Sequence, residues 1–177
     1  YTPEPVVDFI VRGVDEILKT VFGLEDGLAD KSKIKIKAKT QTHDKRTKEG
    51  VKMMDKEVHR VQVLDPATGT GTFLAQVIKQ VHSHYENMPA IWSEYAKTDL
   101  IPRIHGFEIM MASYSMAHMK LDLLLRDLGH EMKDDERLGV YLTNSLEEAH
   151  PDSDTLFSSW LSEEANAANT IKQDTPV

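Results

Sequence analysis

The chain has 177 residues, 40% of them hydrophobic, which suits one soluble domain with a sizeable core. It contains no cysteine, so a disulfide framework or a thiolate metal site is excluded and a cytoplasmic setting is favoured. The net charge of −8 conceals a basic island: residues 31–60 hold 11 Lys and Arg against 4 Asp and Glu, a local +7, and the rest of the chain carries −15. Such an acidic body does not wrap nucleic acid with its whole surface; the basic stretch reads as a solvated loop, or as one loop that meets phosphates.

The chain opens at Tyr1 without a basic n-region or an apolar h-region, which marks it as a cut or processed piece rather than a targeted precursor. "YTPEPVVDFIVRGVDEILKTV" places Thr2 as an N-cap, Pro3 at the first helical position and Glu4 in the first turn. Apolar residues 6, 7, 10, 14, 17, 18 and 21 then predict an amphipathic helix with one buried face. Gly23 and Gly27 break "FGLEDGLADKS" into a loop. Strict alternation in "KIKIKAKT" predicts an exposed ribbon or edge strand, followed by a surface loop from Thr40 to Glu57. "EVHRVQVLD" regains strand character and ends at Pro66.

Phe73, Leu74, Val77, Ile78, Val81 and Tyr85 recur at helical spacing, so a helix begins near Gly71 or Thr72, and a short helical piece fits Ala90 to Ala96. "RIHGFEI" reads as a buried strand ending in an acid. Met111, Tyr114, His118, Leu121, Leu125 and Leu128 share one helical face, with Gly129 where an αL cap belongs. "RLGVYLTN" is a third strand and "LFSSWLSEEANAANTI" a last helix. His118 is expected to be packed and hydrogen-bonded, His82 and His84 point in different directions along a helix, and the pairs Met53–Met54 and Met110–Met111 are expected as core filler. No metal site is expected, and the longest apolar runs fall far short of the roughly 20 residues that span a bilayer.

Strands alternating with helices imply parallel pairing through right-handed crossovers, hence an α/β fold: a three-layer α/β/α sandwich with a parallel sheet, preceded by a helix and a small β ribbon. Residues 1–60 would form the helix and basic ribbon, and residues 61–177 the α/β core, of a single domain. In such sheets ligands sit beyond the carboxyl ends of the strands, here Asp65 to Gly71, Glu108 and Thr143 to Leu146.

The turn in "VLDPATGTGTF" is not a dinucleotide fingerprint, because Leu74 occupies the third glycine position, and not a P-loop, because no Gly-Lys-Ser/Thr follows. Two readings remain. Either its backbone approaches an amine-bearing ligand, with the acid Asp65 just before it, or its glycines serve packing alone. Glu108 can offer two acceptor oxygens to a pair of ribose hydroxyls, or cap a helix. Asn144 presents a donor and an acceptor that fit an adenine edge, or it caps the turn before "SLEE".

On these residues the chain resembles the N6-adenine DNA methyltransferases. "LDPATGTGTFL" is similar to their motif I, "YTPEPVVDFIV" to motif X, "GFEIMMASYSMAHMKL" to motif II with its helix, and "GVYLTNSLEE" to motif III. The four follow in the expected order over nearly the whole chain, with the nearest likeness to the large single-chain, type ISP-like restriction-modification enzymes. The resemblance implies an incomplete Rossmann-like methyltransferase fold with S-adenosyl-L-methionine as cofactor. It places Thr2, with Tyr1 and Pro3, at the methionine end. Asp65 and the turn of Pro66, Ala67, Thr68, Gly69, Gly71 and Thr72 surround the amino group and sulfonium, with Phe73 packing below. Glu108 is placed on the ribose, Ile109 on the adenine face, and Asn144, Ser145 and Leu146 on the adenine edge. Phe73 and Ile109 read equally as core, and many relatives carry aspartate where this chain has Asn144.

The family's catalytic Asn-Pro-Pro-Tyr/Phe is absent from the 177 residues. The resemblance therefore implies a cofactor-binding portion, inactive alone. The parent enzyme would flip an adenine out of double-stranded DNA and carry nuclease, helicase and target-recognition domains. The alternatives are a non-catalytic nucleotide-binding or interaction module, or a methyltransferase acting on RNA or protein.

Overall fold

The structure, a computed structural model, describes residues 2–43, 51–146 and 156–174; Tyr1 and the side chains of Met53 and Met54 lie outside that description. Helix α1 (Glu4–Thr20) has Pro3, not Thr2, as its N-cap, at φ −59° and ψ 141°. The proline's fixed φ suits the entry, and its carbonyl accepts the N–H groups of Val6 and Val7, so no side-chain cap is used. Only Val7, Val11 and Asp15 are buried, while Val6, Ile10, Val14 and Ile17 of the predicted apolar face stay exposed. The reason is geometric: α1 rests on helix α2 (Thr72–His82) and on a short 3₁₀ turn at Gly27–Ala29, which together cover a narrow stripe. Asp15 earns its burial by accepting the Leu28 N–H at 2.7 Å, with Lys19 at 2.7 Å and Gln80 at 3.1 Å on its other oxygen.

Strands β1 (Lys33–His43) and β2 (Val51–His59) form an antiparallel ribbon, registered from Lys33 opposite His59 to Lys39 opposite Met53. Thr40–His43 and Val51–Glu57, expected as loop, are therefore strand. A two-stranded ribbon tolerates a loop-like polar composition, because the cross-strand hydrogen bonds satisfy its backbone. "EVHRVQVLD" is split between two sheets. The Arg60 N–H donates to the Ser32 carbonyl at 2.8 Å, closing the ribbon, and the chain then turns into strand β3 (Val63–Asp65).

Strands β3, β4 (Ile104–Glu108) and β5 (Gly139–Leu142) lie in that order and all run parallel. Helices α2 and α4 (Met111–Asp127) bring Leu74, Ile78, Val81, Leu121 and Leu125 together with Ile104 and Val140 in the main core. On the other face helix α5 (Leu156–Asp174) lays Ala168 and Ile171 against Phe107. The three layers are those the alternating elements predict. Helix α3 (Pro89–Tyr95) seals one side with fully buried Trp92 and with Tyr95. Gly129, at φ +91°, ends α4 as predicted, and the His130 N–H returns to the Leu125 carbonyl at 2.8 Å. His118 is half-buried with Nε2 3.2 Å from the Val140 carbonyl oxygen, as expected. Met110 and Met111 are exposed rather than core, since they sit at the entry of α4, past the end of β4 and beyond the reach of the sheet.

Candidate functional site

The parallel register sets Asp65 beside Gly106 and Glu108 beside Leu142, so the tips of β3, β4 and β5 share one rim. Between β3 and α2 the turn from Pro66 to Gly71 folds back over β4. The Thr68 N–H donates to the Phe107 carbonyl at 2.9 Å, and the Thr68 hydroxyl donates to the Asp65 carbonyl at 3.0 Å. Gly69 and Gly71 take φ of +55° and +78°, conformations that L side chains rarely adopt. Thr68 is buried against β4, and only glycine fits beneath it: a Cβ on Gly106 would lie 2.3 Å from its Oγ1. The lone glycine inside the strand pattern "RIHGFEI" is the signal that could have marked this close approach.

Glu108 holds this rim together. Its Oε2 accepts the Gly69 N–H at 2.8 Å and its Oε1 accepts the Met110 N–H at 2.7 Å, tying the glycine turn to the start of α4. Each oxygen retains further acceptor capacity. The amino end of α2 attracts negative charge through its backbone dipole, and the protein's own carboxylate already occupies the approach to the turn. Asp65 stands differently. Its Oδ1 accepts the Ala67 N–H at 3.1 Å, while its Oδ2 is buried without a partner among the described residues. Burial pushes the Asp65 pKa up; the Ala67 hydrogen bond opposes this and the charge of Glu108 adds to it. The unmet need at this rim is for a hydrogen-bond donor or a cation.

The remaining predicted residues are distributed around it. Ile109 is 67% exposed at the lip, which removes it from the core. Phe73 is partly buried, packs on the core, and lines a cavity of about 460 Å³ with Ile10, Val14, Leu64, Pro66 and Asp65. Glu108 and Asn144 do not line that cavity. Asn144 closes an Asx turn, its Oδ1 accepting the Leu146 N–H at 3.0 Å, while its carbonyl accepts from Lys172 at 3.3 Å. Ser145 is half-buried, and Leu146 is 91% exposed. The Thr72 hydroxyl accepts a hydrogen bond from Lys120 at 3.2 Å. Thr2 is half-buried and Pro3 exposed at the entry of α1, which is fastened to α2 by Gln76 donating to Asp8 at 2.9 Å. The Glu108 bond to the Met110 N–H matches the helix-cap reading of that residue, whereas its bond to the Gly69 N–H and the wedge of Thr68 over Gly106 were not anticipated from the sequence.

A family model described as N-6 DNA Methylase matches residues 29–166, more than half of the chain. Among solved structures, the nuclease-deletion mutant of the Type ISP restriction-modification enzyme LlaGI, in complex with a DNA substrate mimic, is similar over 100% of this chain and 12% of its own, with a TM-score of 0.62 at 23% identity. The DrdV–DNA complex is similar over 100% of this chain and 13% of its own, with a TM-score of 0.61 at 20% identity. The ATP-dependent Type ISP restriction-modification enzyme LlaBIII, bound to DNA, is similar over 98% of this chain and 9% of its own, with a TM-score of 0.58 at 23% identity. These likenesses show the fold, and the chain spans 9–13% of the length of those proteins. No curated protein matches.

Proposed function

The chain belongs to the N-6 DNA methylase family, and we propose that it is the S-adenosyl-L-methionine-binding portion of an adenine-N6 DNA methyltransferase from a type ISP-like restriction-modification system. The observation that carries this reading is the rim of two unlike carboxylates, Asp65 with a buried oxygen lacking a partner among the described residues and Glu108 poised on the glycine turn. When bound, the cofactor supplies an activated methyl group. In this reading Asp65 Oδ2 accepts its ammonium group, and the open backbone at Gly69 lets the ligand approach without meeting a Cβ. Glu108 gives its spare acceptor capacity to the ribose hydroxyls. Ile109 offers an apolar face to the adenine, and the amide of Asn144, with Ser145 and Leu146, meets its edge. Thr2 and its neighbours close the methionine end, and Phe73 supports the turn from below.

The reading treats residues 1–177 as part of one methyltransferase domain, with the α1–ribbon segment followed by the cofactor core. Double-stranded DNA is the proposed substrate, and nuclease, helicase and target-recognition domains are proposed in the parent chain, by analogy with the far longer structural relatives. No helix among the described residues is long and apolar enough to cross a membrane, and we place the protein in the cytoplasm, with its DNA substrate. Because the chain has no Asn-Pro-Pro sequence, it is proposed to bind cofactor without transferring the methyl group.

Isothermal titration of the 177-residue chain tests the ligand: S-adenosyl-L-methionine should bind more tightly than NAD, and the reverse order refutes the assignment. Incubation with tritiated cofactor and adenine-containing duplex tests the second part, where incorporation above a no-protein control would show that the residues present suffice for catalysis.

A further inference from the structure

The two carboxylates of the rim stand on separate strands, Asp65 at the tip of β3 and Glu108 at the tip of β4, and one buried contact fixes how the turn between β3 and α2 seats on β4. On the cofactor reading given above, on which this inference rests, we propose that Thr68 and Gly106 are a matched pair that positions the rim. Their fit sets the spacing of the two carboxylates, and with it the affinity for the cofactor, without either side chain touching the ligand.

Thr68 is engaged through its N–H, its hydroxyl and its carbonyl. The N–H donates to the Phe107 carbonyl at 2.9 Å, the hydroxyl donates to the Asp65 carbonyl at 3.0 Å, and the carbonyl accepts the Gly71 N–H at 2.9 Å. One residue thereby joins β4, the end of β3 and the N-cap of α2. At 4% exposure it presents almost no surface to a ligand, which makes it a positioning residue.

Gly106 supplies the other half. The strand register sets it beside Asp65, and Glu108 follows two residues later on the same strand. Its backbone lies outside the left-handed region, so conformation alone would accept alanine. Space would not. A Cβ there lies 2.3 Å from Thr68 Oγ1 and 3.2 Å from its Cγ2, with Leu74 Cδ1 at 3.0 Å. The leucine methyl ends a flexible side chain and yields, whereas the Thr68 hydroxyl cannot turn away without leaving the Asp65 carbonyl. Relief to ordinary contact requires about 1 Å of movement, which the turn must take. Such a lift draws the Gly69 N–H away from Glu108 Oε2, which it meets at 2.8 Å, and moves Asp65 Oδ2 relative to Glu108. A misplacement of about 1 Å costs on the order of 100-fold where several groups act on one ligand.

The pair is read in G106A, T68A and T68A/G106A by calorimetry with S-adenosyl-L-methionine and by the Gly69 amide proton resonance, which its charged acceptor holds downfield. G106A should bind at least about tenfold more weakly, with the Gly69 resonance moved upfield. In T68A/G106A the added methyl takes the space that the hydroxyl and methyl of Thr68 vacate. The double variant should therefore recover both readouts relative to G106A, a sign of coupling that independent sites do not give. T68A, which loosens the turn without a clash, should fall between the parent and G106A. V81A, which opens a cavity at the far end of α2, should lower Tm and leave affinity and the Gly69 resonance as they are, which separates positioning from loss of stability. If G106A does not fold, recovery of a folded protein in T68A/G106A reads the same coupling. Parent-like binding with an unmoved Gly69 resonance in G106A, or a double variant no better than G106A, overturns the proposal. A parent chain that does not bind S-adenosyl-L-methionine refutes the ligand assignment alone, because the Gly69 resonance reports the pair without ligand.

Discussion

The two ends of the parallel sheet differ in the side chains that line them. Among the described residues, a carboxylate oxygen of Asp65 has no partner at the carboxyl end; at the amino end His105 Nδ1 and Gln62 Oε1 have none, in a cleft that Lys33, Lys56 and Glu57 also line. This inverts what a glycine turn before a helix suggests. Such a turn is a natural anion cradle, yet here Glu108 has taken the Gly69 N–H, and the turn is left with a surplus of negative charge. The same strand thus ends in an acid, Glu108, and begins at a cleft lined by side chains of both charges. A shared architecture does not decide ligand chemistry; the side chains that occupy its backbone donors do.

Substitutions at four positions break or sharpen this contrast. The largest effect is expected from E108A, which leaves the N–H groups of Gly69 and Met110 without their charged acceptor. Denaturant unfolding should show a loss of about 4 kcal/mol, and calorimetry no detectable S-adenosyl-L-methionine binding. Retention of both would mean that the rim is not organised by Glu108.

At the other end the effect is one of pH. The folded chain keeps His105 unprotonated down to about 4, whereas the unfolded chain takes up the proton near 6.5. Unfolding therefore gains protons in that window, and stability falls as the pH drops from 6.5 to 4, by about 3 kcal/mol from this residue. H105Q should flatten the stability–pH curve over that range, and an unchanged slope would assign the acid sensitivity elsewhere.

D65N is expected to separate stability from binding. The Asp65 pKa is raised in the fold, so its favourable contribution belongs to the protonated form, present below the ordinary carboxylate range and lost as the pH rises through the folded value. At pH 7 the charge works against the unliganded fold, and D65N should melt no lower than the parent protein while cofactor affinity falls about tenfold or more. A clear drop in Tm would mean that Oδ2 already has a stabilising partner. The smallest effect is expected at Asn144: N144A should cost about 1 kcal/mol through loss of the bond to the Leu146 N–H, and N144D, which keeps an acceptor there, should melt like the parent.

Elements with a strong apolar period were legible from sequence. Helices α2 and α4 and the αL stop at Gly129 follow from residue spacing and from the lack of a Cβ, both of which act locally. The ribbon was only half legible, since Thr40–His43 and Val51–Glu57 are ordered by cross-strand pairing, which no local pattern announces. Helix α1 misled in the opposite direction: its sequence is apolar over a broader arc than its neighbours cover. At the rim, Asp65 and Glu108 could be found because strands end on them. The bonds of Glu108 to Gly69 and of Thr68 to Phe107 could not, because each joins residues brought together by a crossover. Arg103 was invisible for the same reason. Fully buried, it donates to the Leu28 carbonyl and the Tyr95 hydroxyl, both at 2.5 Å, and nothing in "IPRIHG" announces partners so remote.

The Glu108 clamp has a kinetic corollary. The amides of Gly69 and Met110 lie far apart in the chain, yet one carboxylate shields both from solvent hydrogen. Rotation of that single side chain releases the two together, so their exchange with deuterium should rise and fall in step, and a ligand that settles on Glu108 should slow both at once. Two amides in different loops would then serve as a paired reporter of occupancy at the rim.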